Sequence, residues 1–190
     1  LFRSQQKDFT ERLVLFKGLS TALTNMNKPI EESDCDRNHA ILCGCEFIKI
    51  NSSYVSELKE IQLKTNVECW FTVKPPDRQY LEELISVHNL NCIIYDWLPL
   101  HEFHKLAMKC LIVVDTYPFG SCNMAYQISM CGRIVLSTVS PDTKLYGQFV
   151  RGFYEYIGLS SEINWVGSLT DNAVLFIKNT DIRQNLEDKI

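Results

Sequence analysis

Short apolar runs alternate with amphipathic stretches along most of the chain. "AILCGCEF" (40–47), "VECWFTV" (67–73), "CIIYDWL" (92–98), "CLIVVDTY" (110–117) and "RIVLST" (133–138) are six to eight residues long and read as strands. The segments between them carry apolar residues at helical spacing. Asn51 or Ser52 caps a helix beginning near Ser53 with Leu58 and Ile61 on its buried side. Residues 77–89 place Tyr80, Leu81, Leu84, Ile85 and His88 on one stripe, and 101–109 and 122–131 read as two further helices. Pro75-Pro76 ends the second strand, since neither proline extends a helix or a central ladder. Residues 142–157 and 169–189 also read as helices. At the start, residues 5–26 set Phe9, Leu13, Phe16, Leu19 and Leu23 along one amphipathic helix, and "NKPIEESDCDRN" (27–38) is a polar linker.

Strands alternating with helices, without hairpin signals, build βαβ units around a parallel sheet. Nearly continuous apolar strands such as "CIIYDWL" fit a sheet covered on both faces. The expected fold is a Rossmann-like three-layer α/β sandwich over residues 39–190, preceded by a helix and linker over 1–38. In such sheets a ligand lies beyond the carboxyl ends of the strands, here the loops after residues 45, 74, 97, 117 and 138.

Composition narrows the function classes. A chain of 190 residues with 46% hydrophobic and 22% charged residues is long enough for one well-buried domain. A net charge of −4 argues against a broad nucleic-acid surface, though not against one nucleotide in a local pocket. No apolar run approaches the ~18 to 20 residues of a membrane span, and no signal-peptide pattern opens the chain. The chain starts at Leu1 rather than Met and reads as a fragment or processed product. Of its eight cysteines, Cys43, Cys92, Cys110 and Cys131 lie inside apolar runs, which favours reduced thiols in an intracellular setting over a disulfide framework. Cys43 and Cys45 form CxC with no matching second pair, which is not a zinc-site spacing.

The stretch "VVDTYPFGSCNMAYQISMCG" (113–132) carries the candidate chemistry. A strand ends at Asp115 and a loop leads into a helix, whose first N–H groups and dipole attract an anion. Gly120 and Ser121 let a ligand approach the backbone, and Asn123 offers an amide N–H. Lys49, between a strand and a helix, offers a point charge to a phosphate. In "DWLPLHEF", Phe103 offers a ring to stack on a base, and the backbone near Leu98 a means of reading its edge. Each residue also has a plain structural reading: a small polar turn, a solvated lysine, a core phenylalanine. His101 and His104 stand at i, i+3, but no carboxylate or cysteine completes a metal site at a fitting interval, so they read as surface or capping residues.

Taken together, Asp115, Pro118, Phe119, Gly120, Asn123 and Gly132, with "CEFIKINSSYVSELKEI" and "IIYDWLPLHEF" before them and "IVLSTVSPDTKLYGQFVRGFYEYIGLSSEI" after, resemble the C-terminal half of a GT-B glycosyltransferase. The resemblance spans residues 40–170. It is to the group that contains O-linked N-acetylglucosamine transferase and the cytoplasmic N-glycosyltransferases of bacterial adhesins. It implies a nucleotide-sugar donor, usually carrying UDP, and inverting transfer to a protein acceptor in the cytoplasm, with neither metal nor separate cofactor. Lys49 would then stabilise the leaving diphosphate. Phe119, Gly120, Ser121, Cys122 and Asn123 would cradle it, Leu98 and Phe103 would meet the base, and Gln127 would meet the ribose. A complete enzyme of this kind also needs an N-terminal Rossmann-like half, for which this chain has no room, so the isolated chain is expected to transfer little or no sugar. Two positions depart from the family: Gln127 stands where it has an aspartate, and Met124 where it often has threonine. These departures favour an alternative, a degenerate module acting as an interaction or chaperone subunit. A third reading is an unrelated Rossmann-like nucleotide-binding or regulatory domain.

Overall fold

The computed structural model describes residues 39–44, 46–117, 120–138, 148–165 and 167–190, and for Cys122 and Gln148 the backbone alone. The expected helix at 5–26 and linker at 27–38 lie outside the described residues, as do Cys45, Pro118 and Phe119. Five strands form one parallel sheet: β1 (Ala40–Cys43), β2 (Glu68–Val73), β3 (Cys92–Asp96), β4 (Ile112–Val114) and β5 (Val135–Leu136), in the spatial order β3-β2-β1-β4-β5. Chain order runs outward from β1 to β3 on one side, then returns to β4 and β5 on the other, so the direction of winding reverses between β1 and β4.

The helices are α1 (Ser52–Thr65), α2 (Arg78–His88), α3 (Leu100–Met108), α4 (Cys122–Met130), α5 (Gln148–Tyr156), α6 (Leu169–Lys178) and α7 (Thr180–Glu187). Right-handed crossovers place α1 and α2 on one face of the sheet and α3 and α4 on the other. Consistent with this, α1 packs on α2 and α6, and α4 packs on α5. The α1 helix starts where Asn51 caps it, with Oδ1 accepting the Tyr54 N–H at 3.0 Å, and stops at Asn66, whose φ of 59° turns the chain left-handed. Its inner face buries Tyr54, Val55, Leu58 and Ile61 against the central strands, every residue of β1 being buried.

Three expectations need correction. The first strand ends at Cys43, and Phe47–Lys49 form a single 3-10 turn rather than its continuation. β3 is an edge strand, with Ile93 39% exposed, so its apolar run is not covered on both faces. Its outer side is guarded by Arg78, which pairs with Asp96 at 3.0 Å and donates to the Ile94 carbonyl at 3.2 Å. The stripe on α2 is accordingly narrow: Leu81 and Ile85 are buried, while Tyr80 is 62% exposed. Finally, residues 169–189 form two helices, not one. Asn179 leaves helical geometry (φ −117°, ψ 90°), and the bend lets Arg183 donate back to the carbonyls of Phe176 (2.9 Å) and Ile177 (3.4 Å).

The second of these helices is locked to the sheet by a buried ion pair. Arg133 Nη1 meets Glu187 Oε1 at 3.3 Å, and Arg133 Nη2 donates to the Met108 carbonyl at 3.0 Å. Both side chains are almost wholly buried, so removing one leaves the other charged in a dry site. Glu187→Ala should therefore lower unfolding stability in urea by about 3–5 kcal/mol, and the double variant Arg133→Met/Glu187→Leu by clearly less.

Candidate functional site

The reversal between β1 and β4 opens a cleft of about 680 Å³ beyond the carboxyl ends of the strands, where a parallel sheet of this order binds ligands. Its wall is formed by Gly44, Glu46 and Lys49 after β1, Trp97 to Leu100 after β3, Phe103 of α3, and Gly120, Ser121, Asn123, Met124 and Gln127 around the start of α4.

Lys49 is carried by the 3-10 turn between β1 and α1, and it reaches across the reversal. Its Nζ donates to the Gly120 carbonyl at 3.2 Å and stands 3.5 Å from Ser121 Oγ. Two residues on, the amide of Asn51 that does not cap α1 donates to the Tyr117 carbonyl at 2.6 Å. One turn later the Tyr54 hydroxyl donates to the Val114 carbonyl at 2.9 Å. The start of α1 is thus stapled to the segment that leads from β4 into α4. On that segment Asp115, 1% exposed, accepts from the backbone N–H groups of Thr116 (3.0 Å) and Ser121 (2.8 Å), which closes the loop on itself.

Helix α4 starts after Ser121, with no side-chain cap and no acidic residue in its first turn. The N–H groups of Cys122, Asn123 and Met124 have no intrahelical acceptor by helix geometry, and the positive end of the helix dipole faces the cleft beside Lys49. The described walls thus bring together a cation, a row of backbone donors and an apolar flank of Trp97, Leu98, Leu100 and Phe103. Such an arrangement suits an anion joined to a flat apolar group.

The structure gathers Lys49, Leu98, Phe103, Gly120, Ser121, Asn123 and Gln127 on this one cleft. Cys122 begins α4 at its edge, and Phe119 lies outside the described residues. Phe103 is partly buried, and a Cβ placed on Gly44 would lie 2.9 Å from its ring tip and 3.4 Å from Met124 Sδ. Gly44 is therefore the gap that lets Phe103 and Met124 close the floor. The residue-by-residue reading missed Gly44, Glu46, Thr72 and Trp97. For Gly44 and Trp97 a signal existed, since both directly follow strands of the parallel sheet. Glu46 gave none: it is placed by its ion pair with Lys74 (2.9 Å), whose ammonium in turn lies 4.9 Å from the centre of the Trp97 ring. The histidines stand apart from any ligand set. His101 is exposed beside Glu102, and among the described residues no group of three His, Cys, Asp or Glu side chains could hold a metal ion.

With the geometry in view, comparison with solved structures identifies the architecture. A mutant O-GlcNAc transferase of Thermobaculum terrenum superposes with a TM-score of 0.72 over 83% of this chain, at 12% identity. S. aureus TarM, in a complex that contains UDP, gives 0.65 over 98% at 13% identity. The chain has the fold of one half of a GT-B glycosyltransferase. It spans 32% and 38% of the length of those two chains. The catalytic domain of the cholesterol-α-glucosyltransferase of Helicobacter pylori gives 0.53 over 78% of this chain and 92% of its own, at 12% identity. No protein-family model and no curated protein matches the sequence. In this GT-B half, no helix among the described residues is long and apolar enough to cross a membrane.

Burial pushes the Asp115 carboxyl up from 3.8 to about 6, against the pull of the Ser121 and Thr116 N–H groups and of the Lys49 charge. A carboxyl that holds its proton to higher pH when folded stabilises the fold fully below the unfolded value, near pH 4, and loses that contribution as pH rises through about 6. Between pH 4 and 7 the wild type should lose about 2 kcal/mol of unfolding stability relative to Asp115→Asn, read from urea titrations at the two pH values.

Proposed function

We propose that this chain is the donor-binding half of a glycosyltransferase, holding the diphosphate of a nucleotide sugar between Lys49 and the first turn of α4. One observation carries the reading: the Lys49 ammonium sits 3.2 Å from the Gly120 carbonyl, at the mouth of an uncapped helix, where the strand order reverses. A diphosphate placed there takes up the ammonium and the N–H groups of Cys122, Asn123 and Met124. The Asn123 side chain stands at the same edge, and the base lies along Trp97, Leu98 and Phe103. UDP is the favoured nucleotide, supported by the fold shared with TarM, whose structure contains it.

In transfer, negative charge builds on the departing diphosphate as the bond to the sugar breaks. Lys49 and the α4 dipole are already oriented toward that charge, so they stabilise it without reorganising. The scheme needs no metal and inverts the sugar centre if the acceptor attacks from the opposite face. The acceptor, a protein in this reading, and the base that deprotonates it belong to a second Rossmann-like half. The share of its neighbours that this chain covers supports that division, and the isolated chain should bind donor but transfer little sugar. A cytoplasmic setting fits the free thiols of Cys69, Cys92, Cys110 and Cys131, with burial pushing Cys92 up to about 11 and so leaving it protonated and inert.

A second reading rests on two side chains in the cleft wall. The Met124 side chain has no donor for a phosphate, and Gln127 meets a ribose without the charge that makes a carboxylate a strong acceptor. In this reading the cleft is a relic and the chain serves as an interaction or chaperone subunit.

Calorimetry with UDP, GDP and ADP separates the two. The donor-half reading expects UDP to bind and Lys49→Ala to weaken it about 10- to 100-fold, the loss of one charge-assisted contact, with the melting temperature little changed. Absence of nucleotide binding by the folded wild type supports the second reading.

A further inference from the structure

Lys49 is engaged on the cleft wall. Its Nζ stands 3.5 Å from Ser121 Oγ, and the backbone N–H of the same serine donates to Asp115 Oδ1 at 2.8 Å. A cation on the cleft wall is thus linked through one serine to a carboxylate that is 1% exposed. Lys49 is the charged group that acts on Asp115 from the β1–α1 side, and the first turn of α4 contributes no acidic residue. Of the other ionisable groups near the cleft, Glu46 is held below the usual carboxylate range by its hydrogen bond to Lys74, and His104 sits lower on α3, outside the cleft lining.

We propose that Asp115 is the built-in counter-ion of Lys49, and that an anion entering the cleft displaces it and drives a proton from solvent onto the buried carboxyl. The inference rests on the donor-half reading, because it takes the anion to be the diphosphate. Charge balance sets the outcome. An anion that takes over the ammonium removes the positive field that Asp115 shares through Ser121, and it brings negative charge to the other side of that serine. A carboxylate sealed from water has no counter-ion to replace Lys49, so holding a proton becomes the less costly state. No covalent bond changes: the proton comes from buffer and the carboxylate becomes a carboxylic acid that still accepts from the Ser121 N–H. Burial already pushes Asp115 up to about 6, and the Lys49 charge is one of the pulls that lower it, so an anion that offsets this charge moves the titration further up. Anion affinity then depends on pH, and Asp115 acts as a positioning residue that makes the cleft bind more tightly in mildly acidic conditions.

The test is isothermal calorimetry of the whole chain with UDP-N-acetylglucosamine, a diphosphate diester with no group of its own titrating between about pH 5 and 8. Titrations at pH 7 in PIPES and in imidazole, which differ in ionisation enthalpy, read the protons taken up. The wild type should take up a sizeable fraction of one proton and bind several-fold more tightly at pH 6 than at pH 8. Asp115→Asn should take up none and bind equally at both pH values, while His104→Gln should keep the wild-type uptake. Binding without uptake, uptake retained in Asp115→Asn, or uptake lost in His104→Gln each overturns the inference and leaves the donor-half reading standing. No binding at either pH overturns both. If Asp115→Asn does not fold, the carboxyl carbon resonance of Asp115 in the wild type decides. At pH 7 it should move to the protonated position when the ligand is added, and a resonance that stays put refutes the inference.

Discussion

Everything in the cleft depends on how the chain closes the gap at the reversal between β1 and β4. The ladder joins these strands through the pairs Ile41 with Ile112 and Leu42 with Val113, and beyond it the two segments diverge toward opposite faces of the sheet. Side chains take over where the ladder stops. Tyr54, Asn51 and Lys49 donate to the carbonyls of Val114, Tyr117 and Gly120, so donors spaced two to three residues apart meet acceptors spaced three apart. The innermost bond is buried, and the outermost uses a charge at the edge of the cleft. A stable staple therefore grades into a contact that a ligand can take over, since Lys49 is the one charged donor of the three and lines the cleft.

This grading separates stability from binding within a few residues. Tyr54 is fully buried and its hydroxyl satisfies a strand-end carbonyl, so it belongs to the core. Asn51 spends one amide atom on capping α1 and the other on the loop, coupling the helix to the turn. Asp115 performs the matching task on the far side, holding the loop against β4 at the cost of a buried charge that Lys49 partly offsets. The floor is simpler. The absence of a side chain at Gly44 brings Phe103 and Met124 together, leaving an apolar flank beside the polar edge of α4.

Much of this was legible from the pattern of apolar and polar residues. Runs such as "CLIVVD" and the amphipathic stretches between them indicate a parallel sheet, and the carboxyl-end rule leads to Lys49 and Ser121 without any coordinates. What the pattern could not carry were effects of sequence-distant contact. "CIIYDWL" is as apolar as an inner strand, yet β3 lies at the edge because nothing described pairs beyond it, and Arg78 covers its side instead. The periodicity of 169–189 runs straight through Asn179, where the chain bends so that Arg183 can satisfy the end of the preceding helix. Asn51 was readable as a cap, because capping is local, but not as a donor to Tyr117, 66 residues away. Asp115 was visible as a strand-end carboxylate, while its link to Lys49 exists only once two loops meet.

The central claim is that an anion binds where Lys49 faces the start of α4. Two-dimensional amide NMR of the chain during titration with UDP tests it directly. The account predicts that the largest shifts fall on Gly120, Ser121, Cys122, Asn123 and Met124, with Lys49 and Trp97 following, and that α6 and α7 stay unchanged. Saturable shifts centred on any other surface, or a folded spectrum that UDP leaves untouched, would contradict it.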